Sequence, residues 1–144
     1  FGGGISIANG FSSTGLASWL GSQLNLLEHV GLFVLLVCIV AGVNFLTEIT
    51  SNLATTSIVL PILIPLAYMV DVHPYILMIG ATIAASCAFM LPVATPPNAI
   101  IFGSGVIKIH DMIKVGFWLN IISVIILTLI TYYLVPVVFD LNQI

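Results

Sequence analysis

Four long apolar runs, broken by short polar islands, set out the elements of this chain. Val30 to Phe45 is apolar except for glycine and the terminal Asn44. At about 1.5 Å per residue it reaches roughly 24 Å, short of a hydrocarbon core of about 30 Å. Leu53 to Val70 carries Pro61 and Pro65, which a packed membrane helix tolerates where neighbours satisfy the freed carbonyls, so a short, kinked helix is predicted. Pro74 to Ile107 is long enough to span, but Pro92, Pro96 and Pro97 cannot all lie within one regular helix. A broken helix is predicted there. Val115 to Phe139 is the cleanest span, with Trp118 towards one end and Tyr132 and Tyr133 towards the other, as interfacial aromatics often lie.

Ahead of these runs, Phe1 to Phe11 reads as the end of an earlier span. Leu16, Trp19, Leu20, Leu24 and Leu27 then fall at helical spacing opposite Ser18, Ser22, Gln23 and Asn25. That pattern suits a helix lying along the membrane interface, or an ordinary helical linker packed on protein. The chain thus divides into 1–27 (span end and interfacial helix), 28–72 (a hairpin with a polar tip), 73–108 (the broken helix) and 109–144 (the last span and C-terminus).

Composition places all of this in a membrane. The chain is 60% hydrophobic and 5% charged, against roughly 25% charged in a soluble domain, and its mean hydropathy is +1.28. The fold class is an all-α multi-pass membrane protein. Only Lys108 and Lys114 oppose five acidic residues, which leaves no basic stripe for nucleic acid and no polybasic segment for anionic lipid. Cys38 and Cys87 lie inside apolar runs, where thiols behave as small hydrophobes. The opening Phe1-Gly2-Gly3-Gly4 has none of the marks of a signal peptide, and a chain that begins mid-protein is expected.

The islands are Thr47-Glu48-Ile49-Thr50-Ser51-Asn52 and Pro92-Val93-Ala94-Thr95-Pro96-Pro97-Asn98. Polar, helix-breaking sequence at membrane depth survives where it lines a cavity enclosed by protein. Both lysines fall between residues 108 and 114, a connection that the positive-inside rule assigns to the cytoplasm. Asp140, Asp71, His73, Glu28 and His29 then fall on the outer side. The first two runs return to their starting side either as two full spans or as a re-entrant hairpin. The tight polar turn between them favours a hairpin with its tip near the midplane.

At the first island, Thr50, Ser51 and Asn52 occupy N-cap positions of the second arm, where free N–H groups and the positive dipole end attract carboxylate or sulfate. The first arm ends beside them, and its bare carbonyls with the Thr47 and Thr50 oxygens suit an alkali cation. A polar loop with a capping run and nothing bound would share this pattern. The second island repeats the device: carbonyls near Val93 and Ala94 are freed, and Thr95 and Asn98 open the next half-helix. Two such breaks are what a secondary transporter uses to hold an anion together with its coupling ions.

These islands, with Ala54-Thr55-Thr56 after the first and Ala88-Phe89-Met90-Leu91 leading into the second, closely resemble the C-terminal half of the divalent anion/sodium symporter family. The likeness extends to Gly2-Gly3-Gly4, Phe102-Gly103-Ser104-Gly105 and Phe139-Asp140-Leu141. The resemblance implies the second of two inverted repeats in an elevator-type carrier, working as a homodimer in the plasma membrane, the inner membrane of a bacterium. It implies sodium-coupled symport of a dianion, a C4-dicarboxylate such as succinate, or citrate. The family's Ser-Asn-Thr signature corresponds to Ser51 and Asn52, which by resemblance contact a substrate carboxylate with Thr95 nearby. The third position departs, since it is Leu53. The sodium site of this half would use oxygens of Thr47, Thr50, Asn52 and Ala94, largely backbone carbonyls.

Glu48, as a lone charge at mid-bilayer, costs about 2.5–3.5 kcal/mol or more, so it is protonated, paired or facing water. A structural hydrogen-bonding role suits it better than direct ion binding. His29, His73 and His110 lie at expected membrane edges without ligand spacing. Gly103-Ser104-Gly105 with His110 lacks the oxyanion arrangement of a serine hydrolase, and no enzyme is expected. Sulfate transport, sodium-independent exchange, an ion channel and a non-transporting membrane subunit are the other readings.

Overall fold

In a computed structural model the structure describes residues 31–141, together with Ser6, Gly10, Ser13 to Leu16 and Trp19. The expected span end and interfacial helix over 1–27 lie otherwise outside the described residues. Among the described residues from 31 onward there are five helices and no strand. They are α1 (Leu32–Leu46), α2 (Asn52–Met69), α3 (Pro74–Ala85), α4 (Pro96–Gly103) and α5 (Ile109–Val138).

Local chemistry sets most boundaries. Ser51 is extended and its Oγ accepts from the Ala54 N–H at 3.2 Å, which starts α2. That helix continues through Pro61 and Pro65, so the expected kink is not an interruption. Their spacing of four stacks the two missing N–H groups on one side, leaving the carbonyls of Ser57 and Pro61 to neighbours. Asp71 turns the chain in the left-handed region, at φ 54°. His73 Nδ1 then accepts from Tyr75 N–H at 3.3 Å, and Pro74 opens α3.

Two boundaries differ from the expectation. The broken helix leaves α-geometry after Ala85, well before Pro92, and resumes at Pro96. Pro96 and Pro97 begin the second half instead of sitting in the break, because first-turn positions need no N–H partner. The last helix starts at Ile109 with Lys108 as its N-cap, so Lys114 lies inside a helix and not in a loop. At 30 residues it is about 45 Å long, more than a hydrocarbon core requires.

The centre of the bundle is α3, which packs against α1, α2 and α5, while α1 and α2 touch one another little. Rings pair Phe33 with Tyr132 at 5.5 Å and Phe45 with Phe117 at 6.0 Å, so α1 and α5 run antiparallel along their shared length. Leu35, Leu36 and Val40 of α1, Leu63 and Leu66 of α2, and Val124 and Leu127 of α5 close around Leu77, Ala81, Ala84 and Ala85 of α3. Lipid is as apolar as leucine, so association rests on close packing, and the small residues of α3 permit it. At Gly80 a Cβ would stand 3.0 Å from Thr131 Cγ2.

Only α2 and α5, of mean hydropathy 1.6 and 2.5, are long and apolar enough to cross a membrane among the described helices. With 15 and 12 residues, α1 and α3 reach about 22 and 18 Å. Their C-terminal ends meet inside the bundle.

Candidate functional site

The C-terminal ends of α1 and α3 leave carbonyls and N–H groups without helical partners, and the site is built from how these are shared out. Thr47, the C-cap of α1, is fully buried. Its hydroxyl lies 2.9 Å from both the Ala85 carbonyl at the end of α3 and Asn52 Oδ1 at the start of α2, as donor. One turn earlier Asn44, also fully buried, donates through Nδ2 to the Cys87 carbonyl. Thr50 Oγ1 donates to Leu46 O at 2.9 Å and shares a short hydrogen bond with Thr55 Oγ1. The turn 47–51 is thereby tied to both neighbouring helix ends.

Glu48 is the keystone. Only 3% exposed, its Oε1 accepts from Phe89 N–H at 2.8 Å and Met90 N–H at 3.0 Å, and its Oε2 from Met90 N–H at 3.1 Å and Leu91 N–H at 3.0 Å. Asn120 Nδ2 of α5 donates to Oε1 at 2.6 Å. Both oxygens act only as acceptors, the pattern of an ionised carboxylate. Three successive N–H groups of the broken segment thus find in Glu48 the acceptor that a continuing helix would have supplied. This is why the chain leaves the helix at Ser86 although Cys87 to Leu91 is apolar.

The far side of the break is held from within. Asn98 Nδ2 donates to the carbonyls of Ala88 at 3.0 Å and Leu91 at 3.1 Å, and its N–H reaches the Thr95 hydroxyl at 3.4 Å, which makes Thr95 the N-cap of α4. Ala94 is buried, and its N–H donates to Leu91 O at 3.2 Å. At Gly116, α5 lies directly on the break: a Cβ there would collide with the Phe89 carbonyl and stand 2.6 Å from Met90 Cα.

Among the residues expected to bind, Thr47, Thr50, Ser51 and Asn52 are brought together at the turn. Ala94 and Thr95 lie on the other segment and make no direct hydrogen bond to it; Glu48 and Leu91 connect the two. The carbonyls of Thr47, Thr50 and Ala94 accept no hydrogen bond among the described residues, and this is the neutral oxygen chemistry that sodium takes. Asn52 offers Oδ1 to Thr47, while its Nδ2 makes no hydrogen bond there and remains a donor for an anion. Leu53, at 57% exposed, presents an apolar side chain beside it.

Asn44, Asn120 and Gly116 belong to no motif in the sequence. An asparagine amid the apolar run of α5 was the available signal, since polar side chains at membrane depth mark function by default. The carboxamide oxygens of Asn44 and Asn120 are buried with no hydrogen-bond partner.

Two short helices whose C-terminal ends meet within an apolar bundle, each followed by a break and a side-chain-capped helix start, define an all-helical membrane protein with broken helices. The chain belongs to the family described as the sodium:sulfate symporter transmembrane region, whose model matches residues 1–139. It is 53% identical over 142 residues to the sodium-dependent dicarboxylate transporter SdcS of Staphylococcus saprophyticus, an alignment covering 99% of this chain and 27% of that protein. To the protein of the same description from Staphylococcus aureus strain MRSA252 it is 54% identical over 145 residues, covering 99% of this chain and 28% of the relative. The chain spans little more than a quarter of the length of these relatives.

Proposed function

We propose that this chain forms one half of the binding site of a sodium-coupled symporter that carries a C4-dicarboxylate such as succinate, or citrate, across the plasma membrane. The observation that carries the reading is that the carbonyls of Thr47, Thr50 and Ala94 and the Asn52 amide nitrogen are left without hydrogen-bond partners among the described residues, at two helix breaks that Glu48 joins. Likeness to proteins described as sodium-dependent dicarboxylate transporters supports it.

In this reading sodium lies against the oxygens of Thr47, Thr50, Asn52 and Ala94. One substrate carboxylate takes hydrogen bonds from Ser51, the Asn52 amide and the Thr95 hydroxyl, aided by the N-terminal ends of α2 and α4. Sodium neutralises charge that the dianion brings, so each ligand raises the other's affinity, and the linkage is reciprocal. The segment 28–72 is a re-entrant hairpin. It moves with the broken helix and last span as an elevator against a scaffold, in a homodimer whose other inverted repeat supplies the rest of the site.

The test is uptake of radiolabelled succinate into proteoliposomes by the whole transporter, with sodium or choline outside, for wild type and Asn52→Ala. Saturable uptake that needs sodium and is lost in the variant is expected. Competition by sulfate but not succinate would keep the site and make Leu53 its selector. Equal uptake in choline would remove the symport reading in favour of exchange or a channel.

A further inference from the structure

We propose that Glu48 is a positioning residue for the cation: its carboxylate sets sodium affinity by fixing both halves of the carbonyl cage and by placing the negative charge beside them. The inference rests on the symport reading above. It starts from an asymmetry in that site. Every oxygen expected to meet sodium belongs to a carbonyl, hydroxyl or carboxamide, so the ligands themselves bring no formal charge. A cation in a cavity of low dielectric gains strongly from a nearby anion, because screening there is weak. The carboxylate next in sequence to Thr47 is buried, and its hydrogen bonds run to the broken segment and to α5.

Its contacts explain how it can act without touching the ion. Oε1 and Oε2 are filled by the N–H groups of Phe89, Met90 and Leu91 and by Asn120 Nδ2, at 2.6 to 3.1 Å. With its acceptor positions taken, Glu48 is a poor direct ligand. It is instead an internal anion occupying the N–H nest of the break, a place where an external anion would otherwise bind. The Leu91 it holds presents its carbonyl to the Ala94 N–H at 3.2 Å and to Asn98 Nδ2 at 3.1 Å. Ala94 is therefore positioned from Glu48 through one residue, and Thr47 adjoins Glu48 directly. One side chain fixes the cage on the hairpin side and on the broken-helix side together.

A carboxamide cannot replace it. Gln offers one oxygen and turns an NH2 group towards N–H donors, so Glu48→Gln removes the charge and breaks the nest in a side chain of equal size. Glu48→Asp keeps the charge but withdraws it by one methylene.

The test uses the whole transporter, purified in detergent for sodium-dependent thermal stabilisation and reconstituted for succinate uptake. Glu48→Gln is expected to raise the half-saturating sodium concentration roughly tenfold or more in both measurements, as loss of an outer-shell partner does at other metal sites. At saturating sodium the half-saturating succinate concentration is expected to rise by a smaller factor than the half-saturating sodium concentration does. Glu48→Asp should recover part of the sodium affinity. A stable Glu48→Gln protein with the wild-type sodium curve overturns the proposal while leaving the symport reading intact. A wild-type protein that sodium neither stabilises nor drives overturns both. Where Glu48→Gln does not accumulate, Glu48→Asp decides with hydrogen exchange at the amides of Phe89 to Leu91. Faster exchange with weakened sodium binding supports the proposal, and faster exchange with unchanged binding overturns it.

Discussion

Gly116 has no side chain, and that is what lets α5 reach the break. A Cβ there would meet backbone, the carbonyl of Phe89 and the Cα of Met90 at 2.6 Å, and backbone held by Glu48 cannot yield cheaply. At Gly80 the nearest atom is Thr131 Cγ2 at 3.0 Å, a side-chain methyl that need give by only a few tenths of an ångström. Gly116→Ala should therefore cost about 1–3 kcal/mol of stability as overpacking, seen as a lowered thermal midpoint in detergent and loss of uptake. Gly80→Ala should cost less in the same assays. Equal midpoints would show that α5 does not press on the break. Neither glycine's neighbour was legible in the sequence, because both contacts join distant residues. The same holds for Asn120, whose partner Glu48 lies 72 positions away. What could be read was residue type in the wrong solvent: Glu48, Thr95 and Asn98 stand out against apolar flanks, and chemistry follows from type before geometry is known.

Helix breaks were legible as events but not as boundaries. The prolines marked the second island, yet Ser86 to Leu91 carries no breaker and reads as helix by pattern. The chain leaves the helix there because a carboxylate from another element takes three of its N–H groups, a tertiary effect that no local period can report. The prolines themselves start α4. The loop so formed relies on Asn98, which bridges the Ala88 and Leu91 carbonyls with one NH2 group. Asn98→Ala should cost about 1–3 kcal/mol by leaving acceptors unpaired, and the thermal midpoint should fall with and without sodium. Easier protease cleavage between residues 86 and 95 would accompany it. An unchanged midpoint would mean that Glu48 alone holds the loop.

At the scale of the whole molecule, contacts decide which parts can move apart. The turn, the break and α5 share Glu48, and α1 and α5 meet at both ends through Phe45 with Phe117 and Phe33 with Tyr132. The core of α3 is closed by the other three long helices. In the proposed transport cycle, separating the turn, the break or α5 would expose the buried carboxylate and its donors at a cost of several kcal/mol. Rigid-body movement leaves them intact, so the turn, the break, α1, α2, α3 and α5 should travel together. The sharpest check is a covalent tie. In the whole transporter with Cys38 and Cys87 replaced by alanine, cysteines at positions 45 and 117, joined by a short bifunctional thiol reagent, should leave sodium-driven succinate uptake close to that of the untreated protein. Loss of uptake on cross-linking, restored when a cleavable reagent is reduced, would mean that the turn and α5 part during the cycle. Glu48 would then be a latch that opens with each turnover and not a fixed clamp.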